Sequence, residues 1–349
     1  MNRVFPTSTV LALIAGGATA GGVERSAQST AILFEDGTYA EFSLGYVDPT
    51  VSGIVGGVVS SGDMSASYMP YSLGYKRALS DRLDMAVIID QPIGADVDYP
   101  TGTGYPLQGS TAELRSTAIT GLLRYGLEND VSLIGGIRAQ AITKGEVALP
   151  FAGYTLSVDS DWRVGFVGGV AWERPDIAAR VALTYNSAIT HTLDSTEGGF
   201  PTGSFDTEVP QSVNLEFQTG VAADTLLFGS VRWVDWTEFD ISPPAFGSSL
   251  VSYSNDRVTY NLGLGRRFNE TWSGAVTLGY EASDGEITGN LGPTDGYTSM
   301  GLATTYTAGN TKITGGIRYV DIGDATTSIG AQFQNNYAIA AGVRVGFSF

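Results

Sequence analysis

Apolar and polar positions alternate at period two along most of the chain, in segments of about ten to fifteen residues. In the last segment, Tyr337–Phe349, the odd positions include Ile339, Val343 and Phe347, whereas the even positions are Ala, Gly, Ser and the single Arg344. A soluble sandwich also alternates, but its polar face would be rich in Lys, Glu and Thr. A large apolar face opposite small residues with isolated charge is typical of a strand between lipid and a barrel lumen.

This pattern predicts an all-β chain, a transmembrane antiparallel β-barrel of about 14 strands. Tight turns such as Ser80–Arg82 alternate with long loops, so we expect the turns at the periplasmic mouth and the loops outside the cell. Aromatic residues near strand ends, such as Tyr46, Trp172 and Phe349, match the interfacial girdles of such barrels. The predicted strands are Tyr39–Asp48, Ser67–Leu79, Leu83–Asp90, Leu114–Tyr125, Val131–Thr143, Thr155–Trp172, Ile177–Thr190, Val209–Val221, Leu226–Phe239, Asp256–Phe268, Trp272–Ala282, Tyr297–Thr307, Thr311–Val320 and Tyr337–Phe349.

The first residues have the composition of a secretory signal peptide. Arg3 is followed by the apolar run Val10–Ala15 and the small-residue triplet Ala18–Ala20, which predicts a signal peptide over residues 1–20. The apolar run is too short for a membrane-spanning helix, which needs about 20 residues. We place the barrel at residues 39–349 and expect it in the bacterial outer membrane, which it crosses many times.

Composition argues against several other classes. The chain carries a net charge of −17 and has no cysteine, which argues against nucleic acid as a partner and leaves no disulfide or thiol chemistry. His191 is the sole histidine, and we expect it at the start of a long loop, whereas a phospholipase would need it on a strand face beside a serine. We therefore predict no enzyme activity, no cofactor and no metal site.

Several segments resemble the FadL/TodX family of outer-membrane transporters of long-chain fatty acids and other hydrophobic compounds. The most telling are DWRVGFVGGVAWERPDIAARVALTYNSAITHTLDS at 161–195 and PQSVNLEFQTGVAADTLLFGSVRWVDWTEFD at 210–240. The second of these contains Trp233 and Trp236, spaced three apart. The resemblance implies a passive channel for hydrophobic molecules, with long-chain fatty acids as the expected cargo.

A third segment, IIDQPIGADVDYP at 88–100, resembles the family's stretch at the end of the third strand. Pro92 cannot donate to a strand ladder and Gly94 has no side chain, so pairing should fail there. In the family such a kink opens a lateral exit from the lumen to the membrane. The alternative is a simple strand end before a long loop.

The resemblance also implies an N-terminal plug, which here would be residues 21–38. Its apolar residues Val23, Ile32 and Phe34 would lie in the lumen. The segment is short, and the Asn-Pro-Ala step that is common in the family is absent from it.

Two groups of residues are candidates for cargo binding. Period two places five arginines on the interior face, where a guanidinium would bind a carboxylate head group through two hydrogen bonds, unless interior acids pair with it instead. Besides Arg344 they are Arg138, Arg163, Arg180 and Arg318, and we take these last four as the candidates. Apolar residues in the long loops would form an outer capture groove, or would pack the loops against one another. Among them are Phe151, Phe200 and Phe246.

An alternative function is a general diffusion porin, whose acidic balance would favour cations. As partners we expect a hydrophobic small molecule, either a fatty acid or an aromatic hydrocarbon. We also expect outer-membrane lipid and lipopolysaccharide around the wall, and the barrel assembly machinery. The protein is expected to be a monomer.

Overall fold

A computed structural model describes residues 22–349 and shows a closed antiparallel barrel of 14 strands. Each wall strand pairs with its neighbours in sequence, and the first strand pairs with the last from Tyr39–Ser348 to Thr50–Tyr337. Closure leaves no free edge, so backbone groups in the membrane are bonded within the wall. The predicted fold class and strand number are confirmed, whereas the predicted signal peptide at 1–20 lies outside the described residues.

We number the wall strands in chain order, and four of them consist of two segments. They are β1 (Tyr39–Thr50), β2 (Tyr71–Ser80), β3 (Leu83–Asp90 and Gly94–Asp98), β4 (Thr111–Gly126), β5 (Val131–Leu149), β6 (Tyr154–Val158 and Asp161–Arg174), β7 (Ala179–Asn186 and Ile189–Glu197), β8 (Phe200–Val209 and Ser212–Ala222), β9 (Thr225–Val234), β10 (Arg257–Arg267), β11 (Trp272–Glu281), β12 (Tyr297–Ala308), β13 (Thr311–Ile322) and β14 (Asn336–Ser348).

The outer surface of the wall is apolar. Val164 is 68% exposed and Ile137 is 64% exposed, whereas the inward-facing Ala338 and Ala340 of β14 are buried. Exposure of such an apolar surface to water is unfavourable, whereas contact with the hydrocarbon of a bilayer is favourable. The barrel therefore spans a membrane, with the faces of β14 oriented as the alternation predicted. No helix among residues 22–349 is long and apolar enough to cross a bilayer.

The two ends of the barrel differ. Short turns close one end, and left-handed backbone at Asn129, Ala178 and Asp224 makes three of them tight. Long loops extend from the other end, and parts of these loops form a small sheet over the mouth. Its strands are Gly53–Val55, Val59–Ser60, Ile287–Thr288, Ala325–Thr327 and Gln332–Phe333. A short hairpin (Asp240–Ile241 with Val251–Ser252) and single 3₁₀ turns (Ala31–Phe34, Pro150–Ala152, Pro175–Ile177 and Trp236–Glu238) complete the elements.

β5 and β7 run well beyond their predicted ends, because the apolar outer face that marks a membrane-spanning strand ends before the strand does. β7 was predicted to stop at Thr190, but it resumes after a two-residue break and runs to Glu197. The prediction that His191 is a loop residue is therefore wrong. It lies in β7, is fully buried, and its Nδ1 is 3.3 Å from Asp161 Oδ2. Its other ring nitrogen bonds no serine or other partner within the described chain.

The lumen has a polar half and an apolar half. Toward the turns, residues 27–38 lie inside the barrel among buried polar side chains of the wall, such as Arg138, Asn214 and Gln218. Toward the loops, the inward residues form apolar clusters that include Leu114, Leu193 and Phe205. The possible sites therefore lie where these two halves meet.

Candidate functional site: an apolar chamber beside a gap in the wall

An apolar chamber of about 130 Å³ lies in the extracellular half of the barrel. It is enclosed by the upper parts of the wall strands, by the loops and by the start of the N-terminal segment. Its apolar lining includes Val23, Met64, Val97, Leu156, Phe205, Leu250 and Tyr253. The carboxylates of Asp96, Glu113 and Glu146 are its acidic groups. A mostly apolar concave site with a few polar groups is typical of a small-molecule pocket.

The wall beside the chamber is interrupted between β2 and β3. Strand pairing stops at Leu73–Ile89 and resumes only at the isolated bridge between Ser65 and Val97. β3 itself breaks at Gln91, Pro92 and Ile93, then continues from Gly94 along the same neighbour, β4. The alternative of a simple strand end is therefore wrong, since β3 is broken and then resumed.

A second cavity of about 370 Å³ occupies this gap. Its lining includes Tyr46 and Met69, which are exposed on the outer surface of the barrel, with Met69 at 57%. On the inner side it reaches Tyr68 and Gly94, which also line the chamber. The two cavities are thus adjacent, and the second one reaches the outer surface of the barrel.

The N-terminal segment forms hydrogen bonds with backbone groups that the break in β3 leaves unpaired. The amide of Arg25 donates to the Pro92 carbonyl at 2.8 Å, and the amide of Gly94 donates to the Val23 carbonyl at 2.8 Å. The Ser116 hydroxyl bonds both the amide and the carbonyl of Ile93, at 2.9 and 2.7 Å. A break that would otherwise leave buried polar groups unpaired is satisfied in this way.

Side-chain contacts also hold the N-terminal segment to the wall. Glu24 accepts two hydrogen bonds from Arg232, at 2.5 and 2.8 Å. The Asn214 amide donates to the Ala27 carbonyl at 2.9 Å, and Ser29 donates to Glu216 at 2.5 Å. These contacts fix the segment in a lumen that would otherwise be open on this side.

The predicted plug residues are all buried inside the barrel. Val23 packs with Ile93 and Leu114, whereas Ile32 and Phe34 pack low in the lumen with residues such as Leu122. Burial of apolar side chains adds to the polar anchors, because each fully buried side chain of this size contributes roughly 1.5–3 kcal/mol.

The periplasmic end holds a polar vestibule of about 600 Å³, lined by Glu35, Lys76, Asp84 and Arg124. Burial raises the pKa of Glu35 to about 7, with Lys312 opposing the shift and Glu41 adding to it. Glu35 follows the 3₁₀ turn that carries Phe34. The docking of this part of the segment is therefore linked to pH near neutrality.

None of the four predicted arginines lines the apolar chamber. Arg138 donates to Gln28 of the N-terminal segment at 2.7 Å, and Arg180 lies 4.4 Å from the ring centre of Phe34. Each of these two therefore contacts the segment. That either of them binds a head group stays a prediction.

The other two arginines have different surroundings. Arg318 is buried and donates to Ser299 at 2.7 Å and to Asn261 at 3.2 Å. Arg163 is partly exposed where β6 and β7 are unpaired, and it bonds Asp161 at 2.8 Å. The four arginines are thus not brought together into one site.

The predicted loop phenylalanines lie apart from the chamber lining. Phe200 is 74% exposed and Phe151 is also exposed, whereas Phe246 packs on Tyr154 with 4.7 Å between ring centres. Phe246 belongs to the cluster that contains the chamber residues Leu156 and Leu250. The prediction that Phe200 is a loop residue is wrong, since it begins the upper segment of β8. A role of the three phenylalanines in capture remains a prediction.

Sequence reasoning missed most of the chamber. Leu156 and Val158 alternate with polar residues in β6, and Leu193 alternates with polar residues in β7. The alternation marks Leu156, Val158 and Leu193 as one face of a strand. It does not show that this face points inward, because the breaks in β6 and β7 reverse which positions face the lumen. Arg25 was missed because nothing local distinguishes it from a solvated charge.

Among residues 22–349, no group of three or more His, Asp or Glu side chains is arranged to hold a metal ion. No family model matches the chain, and no curated protein matches it.

Solved structures do match. A Pseudomonas aeruginosa FadL homologue superposes with a TM-score of 0.77 at 13% identity, over 91% of this chain and 92% of that one. The Pseudomonas putida toluene transporter TodX gives 0.66 at 12%, over 95% and 96%. The Ralstonia pickettii toluene transporter TbuX gives 0.63 at 14%, over 91% and 90%. The predicted resemblance is confirmed at the level of the fold.

Proposed function

We propose that this chain is a member of the FadL/TodX family and acts as an outer-membrane channel for hydrophobic molecules. The observation that carries the proposal is the apolar chamber next to a lipid-facing gap at the break in β3. A hydrophobic molecule gains free energy on entering such a chamber from water, and the adjacent membrane is the more favourable destination after it. Passage would need no energy source.

The proposed path runs from the loops into the chamber and then sideways past Pro92 and Gly94. Straight passage to the periplasm is blocked by the N-terminal segment, whose residues Val23, Ile32 and Phe34 fill the lumen. The same filling argues against the porin alternative, because an aqueous pore needs a continuous open lumen. Single-channel recording tests this point, since a large steady conductance would favour the porin.

A small uncharged molecule is the cargo that the chamber suits best. Its volume of about 130 Å³ is close to that of an engineered apolar cavity, about 150 Å³, that binds benzene. TodX and TbuX, which share the fold, are toluene transporters. A long-chain fatty acid is the second candidate. Arg25, which lines the chamber, is the cation that would receive its carboxylate, but the chamber would have to widen.

Uptake in cells without their own transporter of hydrophobic compounds tests the proposal. We expect toluene to enter faster than in cells without the protein, and long-chain fatty acid serves as the comparison. No enhancement with either cargo would refute the assignment.

The lateral route has its own test. Pro92→Thr combined with Gly94→Val restores residues that can join a strand ladder, and should slow uptake by about tenfold if cargo leaves through the gap. Pro201→Thr, in the exposed upper part of β8, is the matched control. Normal uptake by the double variant would exclude this exit while leaving transport itself intact.

A further inference from the structure

The side chain of Arg25 occupies the junction between the chamber and the wall gap. Only Arg25, Tyr68 and Gly94 line both cavities among the described residues. A Cβ atom added to Gly94 would lie 2.9 Å from Arg25 Nε, so the guanidinium fills the space that this glycine leaves open. Any molecule that passes from the chamber into the gap must therefore pass Arg25.

The guanidinium is held by two contacts. It pairs with the carboxylate of Asp96, and it lies over the ring of Tyr68 with 3.5 Å between its central carbon and the ring centre. Arg25 is 8% exposed, and its Nε has no hydrogen-bond partner within residues 22–349. A buried guanidinium with an unsatisfied donor is less stable than one whose donors are all bonded.

Release of Arg25 would not leave an uncompensated charge in the wall. Asp96 also pairs with Arg115, which belongs to β4, so the carboxylate keeps a partner when Arg25 departs. Breaking a buried ion pair is usually costly because one charge is left without a partner. This cost is reduced here, because Asp96 keeps Arg115. Arg25 also lies on the N-terminal segment rather than on the wall, so it is able to move without opening a strand ladder.

We infer that Arg25 is a movable latch on the wall gap, and that the face of Tyr68 is a cargo subsite which Arg25 covers in the closed state. This inference rests on the proposed function. An aromatic ring stacks on Tyr68 in place of the guanidinium, because offset-stacked aromatic pairs are favourable. A saturated chain gains less there. The latch thus favours aromatic over aliphatic hydrocarbons.

Thiol labelling tests the latch without relying on transport. The chain has no cysteine, so Met64→Cys places a single thiol in the chamber lining, away from the gap. The protein is reconstituted in phospholipid vesicles and treated with a maleimide dissolved in the bilayer, or with a water-soluble maleimide. Arg25→Met should raise the rate of the bilayer reaction about tenfold, because the ion pair and the cation–π contact are lost together. The rate with the water-soluble reagent should not change.

Arg115→Met is the matched comparison, because it removes the other partner of Asp96 from the wall side of the pair. We expect less than about a twofold change in labelling for this variant. Arg25→Lys, which keeps the charge but not the planar fork, should fall between wild type and Arg25→Met. Folding of every variant is checked by its heat-dependent migration on gels.

The outcomes separate the latch from the proposed function. Equal labelling of the Arg25→Met and wild-type backgrounds, or an equal rise in Arg115→Met, would overturn the latch even if toluene is transported. Faster labelling in Arg25→Met together with no transport by wild type would refute the proposed function alone. In transport assays, Arg25→Met should also reduce the preference for toluene over hexane, and an unchanged preference would count against the Tyr68 subsite.

Discussion

The anchor between Glu24 and Arg232 should determine how firmly the N-terminal segment is docked. Arg232 donates twice to Glu24, at 2.5 and 2.8 Å, and also donates to Asn214 at 2.5 Å and to Ser212 at 3.0 Å. Arg232→Met removes all these bonds and leaves the carboxylate of Glu24 without its partner. Breaking a buried ion pair in this way typically costs 3–5 kcal/mol.

Glu24 is one quarter exposed, so water will hydrate part of the freed charge. We therefore take about 2–3 kcal/mol as the loss in docking free energy, which corresponds to a roughly 30- to 150-fold rise in the population of the undocked segment. Hydrogen exchange measures this population directly, because the amide of Arg25 is protected by the Pro92 carbonyl. Its exchange should accelerate by that factor, whereas amides in β4 and β5 should not change.

Arg257→Met is the control, since it breaks a comparably buried ion pair with Asp284 and Asp295 in the extracellular loops. A Glu24→Gln and Arg232→Met double variant should be less destabilised than the sum of the single variants, because both remove the same interaction. Full protection of the Arg25 amide in Arg232→Met would refute the anchor. Equal loss of protection throughout the wall would show that Arg232 stabilises the barrel rather than the segment.

Three further variants address other parts of the lumen. The pKa of Glu35 is raised to about 7 from an ordinary value of 4.5. Docking near Phe34 should therefore be strongest below about pH 4.5 and should weaken by up to about 3 kcal/mol as the pH rises through 7. Glu35→Gln should abolish this pH dependence, which hydrogen exchange measures. Gly22→Ala places a Cβ atom 2.6 Å from Trp236 Cε2, and should loosen the start of the segment and change tryptophan fluorescence, with partial recovery in combination with Trp236→Phe. Leu156→Trp should fill the chamber and lower cargo uptake by about tenfold while the barrel still folds, and normal uptake would show that cargo avoids the chamber.

The wall was predictable because the bilayer imposes a strict alternation on every strand that crosses it. The segment Leu83–Asp90 was predicted with the bounds that the structure gives, and the start of β5 at Val131 was also correct. Above the membrane this constraint ends. The upper part of β7, with Asp194 and Glu197, is polar on one face and is buried within protein on the other, so its sequence alone predicts a loop.

Interior contacts were harder to predict, because the partners are far apart in sequence. Arg138 meets Gln28 across 110 positions, and Arg232 meets Glu24 across 208. Period two correctly placed Arg138 toward the lumen, but it carries no information on which side chain fills the lumen there. Arg163 shows a second limit. It is at an odd-numbered position of β6, as are the inward residues of that strand. It nevertheless lies where β6 and β7 are unpaired, so it is partly exposed.

The irregularities of β3, β5 and β6 lie at the same height along the barrel axis, as the strand pairing shows. Ser116 of β4 bonds Ile93 at the break of β3, and it faces Ile142 of β5, next to the extra residue Thr143. Ile142 in turn faces Asp161, directly after the break of β6. Each break reverses which side chains of its strand point inward, so the lumen changes character at this level.

From Arg25 onward the N-terminal segment is docked at and below this level, and this has a structural reason. Below the breaks, inward polar groups such as Asn214 and Glu216 bond the segment at Ala27 and Ser29. Above the breaks most inward residues are apolar, so a polar backbone would find few partners there. Gly22, Val23 and Arg25 line the chamber, and the first backbone groups that the described part of the segment bonds are those freed beside Pro92. Chamber, docking site and wall gap thus follow from one irregularity, the interruption of β3 at Gln91, Pro92 and Ile93.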